Sequence, residues 1–432
     1  MQDRTTDAGP ALEKAIELGF SDLETLRRDP HLEALRRTAN YKRLAANWGD
    51  ILNSRIETSL DGIRKGYGPG YTVEKNDALR LAYVSAFAPG SFSQAKVEID
   101  RLTAWWETNV ATPVTGSVLE NKPLASEPGE QAKGESGASN VPWVLVVLPT
   151  QKDYASWAEA KFGAGWQRIG GSYSHDEKKL VAKDLGSTLR HEYWHVLHWR
   201  DMTARRQQHP IWIMEGLCSL PEDLDTDAGD VMKPIASWRT NQARHVAKNG
   251  KLMPWEVLFA ADQKRFMGTK PLAYYAQSRC IFLYLHSRGL LKDWYTAYVE
   301  GYSEDRTGAK AMEKVFAKPL AEVQKDYTIW LRSLPEVQEE FRPGDAVLPF
   351  DLEEGAGDGV IVLMPVSLKS RPKGTGGMRG RDVITGVDGK PVREMAELIQ
   401  VLGAYVPGTE VEVSYRRGKT TGTAKVTLAS FK

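Results

Sequence analysis

The feature that most restricts how this chain can fold is the pentapeptide His191-Glu192-Tyr193-Trp194-His195. In a helix, residues four apart lie on one face, one turn above the other. His191 and His195 can then offer two imidazole nitrogens to a single metal ion. Glu192 sits one residue along, beside such an ion but not needed as a ligand, where it can take a proton from an attacking water. The flanks predict the helix. Leu189, Tyr193, Val196 and Leu197 form an apolar stripe, and Asp184 or Ser187 can cap the start. The competing reading is a packed helix whose histidines only hydrogen-bond.

A hydrolytic zinc site needs a third protein ligand and one open position. Two acids compete for the role. Asp201 lies six residues after His195, but that spacing needs a glycine at the intervening turn, where this chain has His198. Glu215 lies in Pro210-Ile211-Trp212-Ile213-Met214-Glu215-Gly216-Leu217, with nineteen residues between it and His195. That interval lets the chain leave the first helix, turn through Arg205–His209 and start a second helix at Pro210. An acid among Ile211, Trp212, Met214 and Leu217 needs a partner if buried, so Glu215 is favoured.

H-E-x-x-H followed by W-x-x-E-G-L resembles the gluzincin branch of zinc metallopeptidases, and in particular the peptidase MA-like group. The likeness spans residues 78–335. It takes in the strand Trp143–Leu148, the helix start at Asp153-Tyr154, the turn around Gly163–Tyr173 and the block Tyr274-Tyr275-Ala276-Gln277-Ser278. The resemblance implies a thermolysin-like zincin domain holding one Zn2+ through His191, His195 and Glu215. It implies peptide-bond hydrolysis by zinc-activated water, with Glu192 as general base and then proton donor to the leaving amine. A tyrosine hydroxyl would steady the oxyanion, with Tyr275 as first choice and Tyr274 as second. Gly171, Ser172 and Tyr173 fall where related enzymes place an edge strand, which can bind a peptide substrate by strand addition. The adjacent Gly170-Gly171 pair also reads simply as a turn. His198, His209 and His286 read as packed or surface histidines.

The remaining chain divides on either side. Residues 1–66 carry apolar positions three or four apart, broken at Asp29-Pro30, and predict helices. This segment resembles the end of a tetratricopeptide repeat array; helices packed on the next domain are the alternative. Residues 115–140, rich in Gly, Ser, Glu, Pro and Lys, read as a flexible insertion. Pro335–Gly359 reads as a linker. Within residues 345–432, short alternating strands, the turns Asp388-Gly389 and Pro407-Gly408, and a helix at Met395–Leu402 predict a small β-rich domain. It resembles a PDZ domain of the bacterial protease type, although Ser367–Pro372 departs from that pattern. The whole is expected to be a multi-domain α+β protein.

Composition narrows the partners. Across 432 residues, 57 basic side chains face 56 acidic ones, so a dedicated nucleic-acid binder is excluded. No apolar run approaches the ~20 residues of a membrane span. The partners expected are a peptide or protein substrate and, at the PDZ-like domain, a peptide C-terminus. Cys218 and Cys280 read as small buried hydrophobes or as one disulfide. The segment Met1–Asp7 has no apolar core and so no signal peptide. By analogy with PDZ-bearing bacterial peptidases an extracytoplasmic location is expected, with the cytoplasm as the alternative. Two other functions are kept: a catalytically idle scaffold using its flanking modules, and hydrolysis of a non-peptide amide.

Overall fold

The computed structural model describes residues 5–18, 20, 26, 30–67, 70–76, 78–87, 89–112, 143–148, 150–163, 170–174, 177–225, 232–363 and 375–432. The insertion expected at 115–140 and the segment Ser367–Pro372 lie outside them. The chain is a mixed α/β, multi-domain protein, helical at its N-terminus and β-rich at its C-terminus.

A five-stranded sheet lies at the centre. Its strands are β1 (Thr72–Asn76), β2 (Leu81–Ser85), β3 (Trp143–Val147), β4 (Gly171–Ser174) and β5 (Lys179–Ala182), in the order β1-β2-β3-β5-β4. The inner strands β2, β3 and β5 are parallel, and β1 and β4 run antiparallel at the two edges. Parallel inner strands need crossovers, supplied by helices Pro89–Asn109 and Gln151–Phe162. Strands buried on both faces read as continuous apolar runs, and Trp143-Val144-Leu145-Val146-Val147 is one. Trp143, Leu145 and Val147 face the helical domain that follows, while Val144 and Val146 face the N-terminal helices.

Those helices are α1 (Thr5–Glu17), α2 (Ala39–Ala46) and α3 (Trp48–Tyr67). Leu12, Ile16, Tyr41, Trp48, Ile56 and Leu60 share a core with Ala82, Val84, Val144 and Val146. These apolar positions of the helices therefore pack against the sheet.

After β5 the chain enters α4 (Ser187–Arg205), which carries the pentapeptide, and then α5 (Ile211–Cys218). Pro210 stands just before α5, as its N-cap residue. A long helix, α6 (Pro271–Ser287), packs against α5. The two approach closely at Gly216, where a Cβ would lie 2.7 Å from the Ser278 Cβ and 2.9 Å from its carbonyl carbon. Trp212 stacks on Phe259 with centroids 4.0 Å apart, and Arg279, fully buried, donates to the carbonyls of Ser219 and Ile235. Gly216→Ala should therefore overpack this contact and cost about 1–3 kcal/mol, read from urea unfolding of the purified chain. A wild-type midpoint would refute the packing argument.

The C-terminal domain is an antiparallel sheet of β6 (Asp351–Glu354), β7 (Val360–Leu363), β8 (Val383–Val387), β9 (Glu410–Arg417) and β10 (Thr420–Thr427), in the order β10-β9-β8-β7-β6. Helix α7 (Met395–Leu402) closes its core through Leu398 and Leu402. Asp388 and Gly389 both have positive φ, at 47° and 78°. That conformation suits a two-residue hairpin turn, and Asp-Gly is favoured there. The expected linker is shorter than its composition implied. Regular structure resumes at Ala346–Val347, which pairs with Ala429–Ser430, and the acidic Asp351, Glu353 and Glu354 belong to β6, paired with β7. Among the described residues no helix is long and apolar enough to cross a membrane.

Candidate metal centre

Helix α4 places His191 and His195 one turn apart, and α5 brings Glu215 across to them. The two Nε2 atoms lie 3.1 Å apart, and Glu215 Oε2 is 3.4 Å from His191 Nε2 and 3.6 Å from His195 Nε2. Among the described residues these three side chains form the cluster able to hold a metal ion. Donors about 2.0–2.2 Å from one tetrahedral ion stand roughly 3.3–3.5 Å apart. The donor set, two imidazoles and one carboxylate, suits zinc with a fourth position open. Asp201 is elsewhere. It accepts from Arg205 and from the Tyr295 hydroxyl at 2.8 and 2.7 Å.

Each imidazole is oriented by its second nitrogen. His191 Nδ1 lies 2.9 Å from Glu222 Oε1, and Arg239 donates to both oxygens of that carboxylate, to Oε2 at 2.5 Å and to Oε1 at 2.9 Å. A carboxylate accepting at Nδ1–H leaves Nε2 free to face the cluster. His195 Nδ1 lies 3.3 Å from the Cys218 sulfur. Cys218 is thus more than a small apolar filler, and both cysteines are free, which removes the disulfide alternative.

The electrostatics follow from burial and crowding. Burial opposes charge on His191, but hydrogen bonds to Glu215 and Glu222 outweigh it and push its pKa up to about 10. Burial alone would raise Glu215 and Glu222. The histidines overcome it at Glu215, and Arg239 with His191 at Glu222, holding both carboxyls well below the usual range. Burial pushes Glu192 up to about 8 against the pull of His191, with Glu215 and Glu222 adding to the rise. Such a raised carboxyl is unlike a surface acid, and groups perturbed in this way cluster at functional sites.

Strand β4 lies alongside. Gly171 abuts the general-base candidate: a Cβ there would stand 2.5 Å from Glu192 Cγ and Oε1. The Tyr173 ring stacks on His195, with centroids 4.3 Å apart and planes 12° from parallel. β4 pairs with β5 on one side and ends the sheet on the other. Of the two tyrosine candidates, Tyr275 sits with its ring centroid 6.5 Å from that of His191. Tyr274 turns away, its hydroxyl accepting from Arg265 Nε at 3.2 Å. Burial, then Glu215, raises the Tyr275 pKa, and its hydroxyl donates to the Met267 sulfur at 3.7 Å. His198 and His209 pair with each other at 2.8 Å, and His286 packs on Trp105.

Sequence reasoning missed Glu222, Arg239 and Arg190, which donates to the Pro221 and Glu222 carbonyls, and it missed the contact of Cys218 with His195. Glu222 lies seven residues after Glu215, beyond the end of α5, so no helical periodicity ties them.

Residues 350–428 match the PDZ domain family, so the C-terminal β-rich domain is a PDZ domain. No curated protein sequence matches the chain. A solved structure of an aminopeptidase N family protein from Idiomarina loihiensis covers 84% of this chain and 68% of its own. It is 11% identical, with a TM-score of 0.32. At that overlap the functional reading rests on the site itself.

Proposed function

We propose that the chain is a zinc-dependent metallopeptidase of the gluzincin kind, with residues 78–335 as a thermolysin-like catalytic domain. The observation that carries this is the convergence of His191, His195 and Glu215 on one point, with buried Glu192 beside them. The residues fit the ion, and zinc bound there would acidify water and polarise a carbonyl. Glu192 would accept the proton of the attacking water and return it to the leaving amine. A peptide would add to the free edge of β4, its backbone paired along Gly171, Ser172 and Tyr173. Tyr275 would donate to the oxygen on which negative charge develops. The reading includes an extracytoplasmic site of action, carried by analogy with PDZ-bearing peptidases, and capture of a peptide C-terminus by the PDZ domain.

Elemental analysis of the purified chain should find about one zinc per chain after equilibration. A peptide library should be cleaved, cleavage should stop with a chelator, and added zinc should restore it. A chain that takes up no zinc, or cleaves nothing when loaded, would shift the reading to the idle scaffold. Within this site Glu222→Gln should weaken zinc binding by about 10–100-fold, because the amide no longer holds His191 with a full charge. Chelator competition measures it; wild-type affinity would remove Glu222 from the site.

A further inference from the structure

The PDZ domain is built onto the first turn of the helix that carries the metal ligands. The Ser187 N–H at the start of α4 donates to Glu394 Oε1 at 2.7 Å, across 207 positions of sequence. Asp184 takes the neighbouring donors, Gly186 N–H at 2.9 Å and Thr188 N–H at 3.0 Å. Ser187 therefore does not cap the helix with its own side chain; it hands its N–H to the PDZ domain. Gly186 has no side chain to block this, since a Cβ there would stand 1.8 Å from Glu394 Oε1. The Leu185 N–H donates to the Ala356 carbonyl at 2.8 Å, and a Cβ at Gly357 would stand 2.5 Å from the Gly186 nitrogen and 2.6 Å from that of Leu185. Asp184, Leu185, Gly186 and Gly355–Gly357 are all buried at this seam.

A second path reaches the site from the preceding residue, Arg393. Arg393 pairs with Glu98, which also accepts from Arg190 at 3.2 Å. Arg190 donates to the carbonyls of Pro221 and Glu222, and the Glu222 side chain holds His191 Nδ1. Both paths end at α4, the first only four residues before His191.

We propose that Glu394 is a positioning residue for the metal site, through which the PDZ domain sets the N-terminal turn of α4 and hence the aim of His191. Helix N-terminal donors need acceptors, and a cap of this kind fixes the first turn. An imidazole held to a fraction of an ångström depends on that turn. The PDZ domain then serves the site from its docked face, besides any ligand it takes elsewhere. This inference rests on the metallopeptidase reading.

The test compares full-length wild type, Glu394→Ala, Glu394→Gln and Asp388→Ala. Asp388 orders a PDZ turn away from the seam, bonding Tyr405 and the Glu412 N–H. The readouts are zinc affinity by chelator competition, kcat and KM separately, and amide exchange over residues 186–191. E394A is expected to bind zinc about tenfold more weakly, to lose kcat with KM unchanged and to exchange faster at the start of α4. E394Q keeps an acceptor oxygen and should stay near wild type, as should D388A. Wild-type zinc affinity and exchange in E394A would overturn the inference alone. So would an equal loss in E394Q, or an equal loss in D388A, which would signal general loosening of the domain. A wild type that takes up no zinc would overturn the proposed function and this inference together.

Discussion

Glu192→Gln is expected to lower peptide hydrolysis by about 10³-fold, within the range a positioned general base contributes, while zinc content stays at one per chain. The side chain is buried beside the cluster, with Gly171 closing the space against it, and it is not one of the three converging donors. An amide has the same shape and volume, so helix α4 and its ligands should be unaffected. What it cannot do is accept a proton. Parallel measurement of kcat/KM and bound zinc separates the two effects. Retained activity would exclude Glu192 as the base, and loss of zinc would make it a ligand instead.

Glu215→Ala is expected to act through the metal. It removes the carboxylate that, among the described residues, faces both Nε2 atoms, so zinc affinity should fall by more than the roughly 100-fold that loss of an outer partner costs. Activity should fall with it and recover in part at high zinc. Because α5 is held by Trp212 stacking and by the Gly216 contact with α6, the far-ultraviolet spectrum should not change. Zinc binding equal to wild type would remove Glu215 from the ligand set and reopen the search for a third donor.

The parts of the site set by local spacing were legible in the chain. His191 and His195 meet because a helix turns once in 3.6 residues, and their flanking stripe announced the helix. Glu215 was legible at one remove, since a buried acid in an apolar helix demands a partner. The Asp388-Gly389 turn and the alternating strands of the PDZ domain were equally local, because turn geometry and the period-2 pleat are written in residue type. The apolar run of β3 marked a strand covered on both faces, but not that the N-terminal helices were its cover.

What holds the site in place came from pairs with no sequence relationship. Glu222 to His191, Cys218 to His195, Arg239 to Glu222 and Glu394 to Ser187 span separations of 31, 23, 17 and 207 positions. Only the packing of the helical segments around the site and the docking of the PDZ domain make these pairs. By itself the sequence singled out His191, His195 and Glu215 and the helices that present them, because those depend on period and side-chain chemistry. The sequence also offered Asp184 as a cap of that helix, and it takes the Thr188 N–H. Tertiary structure decided that Glu222 and Cys218 face the outer nitrogens of the histidines, that Tyr275 lies beside His191 and that Glu394 takes the Ser187 N–H, because burial and distance between remote segments leave no periodic trace in the chain.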